Sequence, residues 1–151
     1  MNYFGAKIGL KMSDNLVVVV DADAIIAQGD EKDPHHQKAA IISENLVSSG
    51  AQVLYPVTAI AEANAYTQRV LNSTASAFGT AQFLTSASIN VVEVNKQTLT
   101  QALNYFSPTT SKKNALFDCI VLAVAEENNA DAIFSFDKFY KKQGFKLASE
   151  L

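Results

Sequence analysis

The stretch Leu16-Val17-Val18-Val19-Val20-Asp21 decides the fold class of this chain. Consecutive apolar and mostly β-branched residues are typical of a strand that is buried on both faces, as in the middle of a parallel sheet. The aspartate ends the predicted strand. Ligands bind beyond the carboxyl ends of the strands in such sheets, so this aspartate is the first candidate for a functional residue.

The rest of the chain alternates between strand and helix patterns. Further short strands are predicted at residues 52–55, 89–94 and 132–134, with edge pairing at 145–147. Helices are predicted from Pro34 to Gly50, at 58–70 and 75–86, after Asn95, and at 116–127 and 137–142. Asp33 and Asn95 are the predicted caps of two of these helices. Because parallel strands need crossover connections, the order predicts an α/β fold with helices on both faces of a parallel sheet.

Length and composition limit the kind of protein this is. A chain of 151 residues with 48% hydrophobic and 18% charged residues fits one globular core. We expect an N-terminal extension at residues 1–15 and a single domain at residues 16–151. The formal net charge of −3 gives no general attraction to a polyanion or an anionic membrane, so any contact with nucleic acid needs a local basic patch.

Cysteine usage and hydropathy suggest where the protein works. The single cysteine, Cys119, cannot form an intramolecular disulfide or a multi-cysteine zinc site, which favours a reducing cytoplasm. No stretch reaches about 18 uncharged apolar residues, and the N-terminus lacks a signal-peptide pattern. We therefore expect a soluble, cytoplasmic protein without a membrane partner.

Four carboxylates lie in apolar or strand-end contexts where a lone charge is unfavourable. They are Asp21, Glu62, Asp118 and Asp137. An unpaired buried carboxylate costs several kcal/mol, so it must be neutralised, paired with a cation or bound to a metal. Basic partners are scarce nearby, since Arg69 is the only arginine. Carboxylate oxygens suit hard ions such as Mg²⁺ and Mn²⁺, so a divalent-metal site is the favoured hypothesis.

Each acid also has an ordinary structural explanation. Asp137 can cap the helix that follows it, and Asp21 can be a turn residue after its strand. Glu62 and Thr58, four residues apart, can form a solvent-exposed pair on a helix. Asp118 can be a structural carboxylate whose hydrogen bonds are satisfied.

The histidines and aromatic residues suggest less specific roles. His35 and His36 are adjacent, and adjacent helical residues do not face one another, so zinc chelation by the pair is not expected. Phe134, Phe136, Phe139 and Tyr140 are expected to serve core and rim packing rather than to form base-stacking platforms.

Four segments, taken in order, carry a recognisable pattern. They read Val17-Val-Val-Val-Asp21, Pro56-Val-Thr-Ala-Ile-Ala-Glu62, Phe117-Asp118-Cys-Ile-Val-Leu-Ala-Val-Ala125 and Phe134-Ser-Phe-Asp137-Lys-Phe. Over about residues 16–147 the chain resembles the PIN-domain nucleases, most closely the small toxin-type, VapC-like members. The last third of the chain is the most specific part of this resemblance.

The resemblance implies a three-layer α/β/α sandwich and Mg²⁺- or Mn²⁺-dependent cleavage of RNA. By position, the first to fourth acids of the family correspond to Asp21, Glu62, Asp118 and Asp137. Ser135 and Thr58 match hydroxyl positions beside those acids. The resemblance also implies a homodimer and a small antitoxin protein as partner, although a housekeeping role in RNA processing is equally compatible with these residues.

One departure from the family pattern follows the first acid. The family commonly has a hydroxyl residue and then Asn or Ser there, whereas this chain has Ala22 and Asp23. Asp23 can restore the missing polar contact, add a fifth carboxylate or face solvent.

The implied chemistry is hydrolysis of a phosphodiester. A bound divalent ion activates water and offsets charge on the phosphoryl group. Since no histidine pair lies among the acids, 5′-phosphate and 3′-hydroxyl ends are expected. The candidate RNA-binding residues form a lysine-rich C-terminal set, for which an ordinary solvated surface is the alternative. This set comprises Lys112, Lys113, Lys138, Lys141, Lys142 and Lys146.

Other classes remain open on the sequence alone. Asp21-Ala-Asp23 also resembles the opening motif of haloacid-dehalogenase phosphatases, but Ile25 stands where that family has threonine. A response-regulator receiver shares the α/β order, but it would need an acid after the second strand and a lysine after the last. A catalytically inactive PIN module that binds RNA or protein is the non-enzymatic alternative.

Overall fold

The computed structural model describes residues 15–151. The N-terminal extension predicted at residues 1–15 therefore lies outside the described residues, except for residue 15. The strands are β1 (Val17–Val20), β2 (Gln52–Pro56), β3 (Asn90–Val92), β4 (Ala132–Phe134) and β5 (Lys146–Leu147). The helices are α1 (Ala22–Gly29), α2 (His36–Ser48), α3 (Val57–Arg69), α4 (Thr74–Leu84), α5 (Lys96–Ala102), α6 (Leu116–Glu127) and α7 (Phe139–Lys142), followed by a 3₁₀ turn (Ala148–Glu150).

The sheet is parallel throughout, with strand order β3-β2-β1-β4-β5. Strand β1 lies at the centre of the sheet. Its residue Val18 pairs with Val53 of β2 on one side and with Ala132 of β4 on the other. Val18, Val19 and Val20 are all fully buried. Burial on both faces explains why this strand is a continuous apolar run rather than an alternating one.

Helices cover both faces of the sheet. Val18 and Val20 of β1 pack on one side into a core that is completed by side chains from α1 to α4. Val19 points to the other side and packs with side chains from α5, α6 and α7. This is the three-layer α/β/α sandwich that the sequence predicts, and its β1 and β4 strands end at the same edge.

The first helix is a difference from the sequence prediction, in which no helix occurs between Asp21 and Pro34. The eight residues of α1 begin directly after Asp21, whose Oδ1 accepts a hydrogen bond from the Ala22 backbone N–H at 2.7 Å. Aspartate is a favoured N-cap because its carboxylate satisfies a backbone donor that has no partner within the helix. The turn role considered for Asp21 is therefore an N-cap, and it fixes this carboxylate at the edge of the sheet.

The helix predicted from Pro34 begins two residues later, at His36. Asp33 does not cap it, because the Asp33 Oδ1 atom accepts from the backbone N–H of His35 at 2.8 Å and closes the preceding loop. The predicted cap at Asn95 is confirmed, with its side chain accepting from the Thr98 N–H at 3.0 Å. The bounds predicted for α6 also match the observed helix.

Within residues 15–151, none of the helices is both long and apolar enough to cross a membrane.

Candidate functional site

Acidic side chains gather at the edge of the sheet where β1 and β4 end. Asp21 follows β1, Asp23 lies in the first turn of α1, and Asp137 lies three residues after β4. Glu62 is carried by α3 and Asp118 by the first turn of α6. We call these five residues the acidic cluster.

Asp21 is the most buried member of the acidic cluster, with 4% of its surface exposed. Its Oδ1 caps α1, and its Oδ2 accepts a hydrogen bond from the Tyr140 hydroxyl at 2.6 Å. Burial, and then the nearby Asp23 and Asp118 charges, hold the pKa of Asp21 well above its ordinary value, although the Tyr140 hydrogen bond opposes this shift. In the absence of a cation, the arrangement therefore disfavours the ionised form of Asp21.

Asp118 approaches Asp21 from the opposite layer of the sandwich. Its Oδ2 accepts from the backbone N–H of Ala115 at 2.8 Å, which holds the carboxylate at the start of α6. Its Oδ1 lies 3.4 Å from the Tyr140 hydroxyl, so one phenol oxygen lies within hydrogen-bonding distance of two carboxylates. The pKa of Asp118 is raised by partial burial and by the neighbouring Asp137 charge.

Glu62 is half-buried and has no hydrogen-bond or ion-pair partner within residues 15–151. Burial, together with the Asp118 and Asp23 charges, raises the pKa of Glu62 to about 7. Thr58 lies one helical turn before it on α3, and the Thr58 Oγ1 atom is buried without a hydrogen-bond partner. The two residues therefore do not form the solvent-exposed helix pair that was considered as the structural alternative.

Asp23 belongs to the cluster and does not face solvent. Its Oδ2 accepts from the Phe136 backbone N–H at 2.8 Å and from the Ser135 hydroxyl at 3.0 Å. Its Oδ1 is buried and has no partner. Burial raises the pKa of Asp23, and the Asp137 charge contributes to the shift. Asp23 thus makes polar contacts with Ser135 and Phe136 and lies among the other carboxylates.

Asp137 is exposed and has two kinds of contact. Its Oδ1 accepts from the N–H of Phe139, the first residue of α7, at 2.9 Å, but the N-cap of this helix is Lys138 and not Asp137. Its Oδ2 accepts from the Asn114 side-chain amide at 3.3 Å. The Asp137 backbone N–H donates to the Ser135 hydroxyl at 3.0 Å, so the serine joins this residue to Asp23.

Two residues of the site were missed by sequence reasoning. Tyr140 was expected to serve packing, and it is indeed fully buried, but its hydroxyl reaches the acidic cluster. The sequence does offer one signal for this role. Tyr140 occupies a core position three residues after Asp137, and a tyrosine hydroxyl that is buried needs a hydrogen-bond partner. Asn114 lies at the end of the polar loop, where nothing in the sequence distinguishes it from its neighbours.

Within residues 15–151, no lysine, arginine or histidine forms an ion pair with a member of the acidic cluster. Within the described part of the chain, the ion pair between Lys141 and Glu150 is the one salt bridge, and it involves no member of the acidic cluster. His36 is engaged elsewhere, with its Nδ1 atom 2.7 Å from the Ala27 carbonyl oxygen.

The donor set fits a hard divalent ion such as Mg²⁺ or Mn²⁺. Carboxylate and hydroxyl oxygens are the ligands that these ions prefer, and two buried oxygens of the site, Asp23 Oδ1 and Thr58 Oγ1, have no partner. As the side chains stand, no three acidic, histidine or cysteine groups in residues 15–151 surround one point closely enough to hold an ion. The cluster is therefore a set of neighbouring oxygen donors, not a closed coordination shell.

The candidate RNA-binding lysines differ in their surroundings. Lys112 and Lys113 are exposed in the loop that precedes Asn114, and Lys138 and Lys142 are exposed on the segment after Asp137. Lys141 pairs with Glu150 at 2.5 Å. Lys146 pairs in register with Ala132, at the start of β4, and so lies toward the amino end of the sheet.

Comparison with known proteins places the chain in a family. The family model described as PIN domain matches residues 18–146. No curated protein matches the chain in sequence. Among solved structures, the chain is similar to the Mycobacterium tuberculosis toxin VapC20, described as cleaving the sarcin-ricin loop, with a TM-score of 0.72, 19% identity, and coverage of 85% of this chain and 95% of that one. The chain belongs to the PIN domain family.

Proposed function

We propose that this protein is an endoribonuclease that depends on Mg²⁺ or Mn²⁺. The observation that carries the proposal is the acidic cluster itself, in which five carboxylates lie together and form no ion pair with any cationic side chain of residues 15–151. Several of them have raised pKa values because burial and mutual repulsion disfavour their charged forms. A bound cation would offset the repulsion between these carboxylates, and carboxylates with shifted pKa values are common at functional sites.

Asp21, Glu62, Asp118 and Asp137 are the proposed ligands of the ion. Asp23, with an unpartnered buried oxygen, is an additional proposed ligand. Ser135 would orient Asp23 and Asp137 through the hydrogen bonds that join its hydroxyl to them, and Thr58 would supply its hydroxyl, which has no partner within residues 15–151.

The proposed reaction is hydrolysis of an RNA phosphodiester. When bound, the divalent ion supplies positive charge that activates water and offsets the charge developing on the phosphoryl group. The protein's own contribution is to fix the carboxylates, through the α1 cap for Asp21 and the Ala115 amide for Asp118. Since neither histidine hydrogen bonds to a member of the cluster, we expect 5′-phosphate and 3′-hydroxyl products.

The exposed lysines near the acidic cluster would bind the phosphates of the RNA substrate. Lys112, Lys113, Lys138 and Lys142 are exposed and close in sequence to Asn114 or Asp137. Lys141 would contribute less because of its ion pair with Glu150. We leave Lys146 out of the proposed surface because it lies toward the amino end of the sheet.

We further propose a toxin role, with a small antitoxin that blocks the acidic cluster, a homodimeric state and a cytoplasmic location. Support comes from the similarity to VapC20, which is described as an RNA-cleaving toxin. Phe78 and Phe83 of α4 are 64% and 62% exposed, and exposed aromatic side chains of this size are typical of protein interfaces. We assign these two exposed side chains of α4 to the contact with the second copy of the chain.

A phosphatase that uses Asp21 as nucleophile is less well supported. Both Asp21 oxygens accept hydrogen bonds, from the Ala22 amide and the Tyr140 hydroxyl, and the residue is buried. A carboxylate in that state is poorly placed to attack a phosphate ester. The inactive-module alternative predicts binding without cleavage, which the following experiment separates.

The test is incubation of a panel of RNAs, including a sarcin-ricin loop hairpin, with the wild-type protein in Mg²⁺, Mn²⁺ or EDTA. Asp21→Asn and Asp118→Asn should abolish cleavage, while the control Glu44→Gln, an exposed carboxylate of α2, should retain it. Mn²⁺ binding measured by electron paramagnetic resonance should weaken in the two Asn variants and not in the control. Cleavage that survives EDTA, or that persists in Asp118→Asn, would contradict the proposal.

A further inference from the structure

A stacked pair of rings lies beside the acidic cluster. The His35 imidazole is parallel to the Phe136 ring, with the ring centroids 4.3 Å apart and the ring planes 6° from parallel. The Lys38 Nζ atom lies 5.9 Å from the centroid of the same Phe136 ring, within the range of a cation–π contact. We call His35, Lys38 and Phe136 the His35–Phe136 platform.

The platform is directly joined to the site. The Phe136 backbone N–H donates to Asp23 Oδ2 at 2.8 Å, and the residues on either side of Phe136 are Ser135 and Asp137. A group bound on the platform would therefore be a near neighbour of a group bound at the acidic cluster.

Hydrogen bonds between aspartate side chains and backbone amides hold the loop that carries His35 in place. The Asp33 carboxylate accepts from the His35 N–H, and the Asp30 carboxylate accepts from the Lys32 N–H at 3.0 Å. His36, the next residue, is anchored to the Ala27 carbonyl of α1. Two of the acidic side chains of this loop are thus occupied by the loop's backbone amides, and His35 is held against Phe136.

Packing alone does not account for the platform. Phe136 is half-buried against the core, but His35 and Lys38 are both exposed. Phe136 stacks on one face of the imidazole, and His35 is nevertheless an exposed residue. An exposed imidazole and an exposed ammonium group that both contact the same phenylalanine ring can together hold a nucleobase and a phosphate.

We propose that the His35–Phe136 platform is a nucleotide subsite of the RNA substrate. One base stacks on the outer face of His35, and the Lys38 ammonium contacts a phosphate next to it. The subsite rests on the proposed nuclease function and adds a contact region separate from the lysines of residues 112–142. Its role is to place the strand so that the scissile phosphate reaches the acidic cluster.

Binding is measured with single-stranded RNA in the Asp118→Asn background with Mg²⁺, so that the strand stays intact. Fluorescence anisotropy gives affinity, and 2-aminopurine moved along the strand reports stacking by its quenching. His35→Ala should weaken binding about fivefold or more and remove the quenching at one position, since loss of one stacked base costs about 1–3 kcal/mol. His35→Tyr, which keeps a planar ring, should stay within about twofold of the parent.

Lys38 is tested by salt dependence. Lys38→Ala should lower the slope of log affinity against log salt by about 0.7, the value for one lost phosphate contact on a single strand. Lys146→Ala, a matched charge removal toward the amino end of the sheet, should leave that slope unchanged. Circular dichroism should show the same fold for all variants, since His35, Lys38 and Lys146 are exposed.

The outcomes separate this proposal from the nuclease proposal. If His35→Ala and Lys38→Ala bind like the parent while the wild type still cleaves RNA, the subsite is wrong and the nuclease stands. If both variants weaken binding but the wild type cleaves no RNA in Mg²⁺ or Mn²⁺, the subsite stands and the nuclease does not. Loss of binding in His35→Tyr equal to that in His35→Ala overturns stacking, and a parent that binds no RNA overturns the subsite, while cleavage by the wild type alone decides the nuclease proposal.

Discussion

Replacing Glu62 by glutamine should stabilise the metal-free protein at pH 8 while removing its activity. The Glu62 carboxylate is half-buried beside Asp118 and Asp23, and these surroundings raise its pKa from 4.5 to about 7. The ionised form is therefore the one that folding disfavours. Glutamine keeps the shape of the side chain and has no charge to bury.

The pH window follows from the direction of the pKa shift. A carboxyl group whose folded-state pKa is raised binds its proton more tightly when folded, so its contribution to stability is fully present below about pH 4.5. That contribution is lost as the pH rises through about 7. In EDTA, the wild type should thus lose stability between pH 5 and pH 8, whereas Glu62→Gln should lose less.

The size of the effect can be worked from the same shift. The difference between a pKa of about 7 and one of 4.5 corresponds to about 3 kcal/mol for a fully buried group. Water screens this half-buried carboxylate, so we expect roughly 1–2 kcal/mol at pH 8 and little difference at pH 5. For a domain of this size, that is a rise in Tm of about 3–6 °C.

The assay is urea unfolding of wild type and Glu62→Gln in EDTA at pH 5 and pH 8, with Glu44→Gln as the matched control for an exposed glutamate. The expected result is a higher midpoint for Glu62→Gln at pH 8 only, with unchanged m-value. A Glu62→Gln protein that is destabilised equally at both pH values would refute the reasoning, and so would a control that shows the same pH-dependent gain.

Three other predictions concern separate parts of the molecule. Tyr140→Phe leaves a buried Asp21 oxygen without its 2.6 Å hydrogen bond, so urea unfolding should show a loss of about 1–3 kcal/mol in the free energy of unfolding. Calorimetry should show weaker Mn²⁺ binding, and unchanged values in both measurements would contradict the role given to the hydroxyl. Mg²⁺ should raise the Tm more at pH 8 than at pH 6, because at the lower pH protons compete with the ion for carboxylates whose pKa values are raised. In a thermal-shift series, Asp118→Asn should remove most of this rise. Phe78→Ser with Phe83→Ser should convert a dimer into a monomer in analytical ultracentrifugation without loss of helix content, and a dimer that persists would show that α4 is not the interface.

Much of the fold follows from local sequence. The run at Val17–Val20 is apolar at every position because β1 is covered on both faces, and this marks the centre of the sheet without any long-range information. The Asn95 cap and the bounds of α6 are likewise encoded within a few residues. By contrast, α1 is short and almost uniformly small and apolar, so its pattern lacks the polar–apolar contrast on which helix prediction depends.

The candidate site is less fully encoded in local sequence. The unusual contexts of Asp21 and Asp118 can be recognised from their neighbours alone. The bridge from Tyr140 to Asp21 and the stack of His35 on Phe136 join residues more than 100 positions apart, and only tertiary packing brings them together. Asp23 is an intermediate case, since its place beside Asp21 is obvious from the sequence but its bond to the Phe136 amide is not.

The two helical layers contribute to the acidic cluster in a fixed order along the chain. Asp23 and Glu62 come from the layer built by α1 to α4, and Asp118 comes from the layer that holds α6, behind the other face of the sheet. During synthesis, a ribosome-bound chain that stops before residue 116 carries the first acids without Asp118, β4 or Tyr140. The set of carboxylates is complete only when the last third of the chain has emerged and closed over the sheet, so a shorter nascent fragment lacks the full acidic cluster.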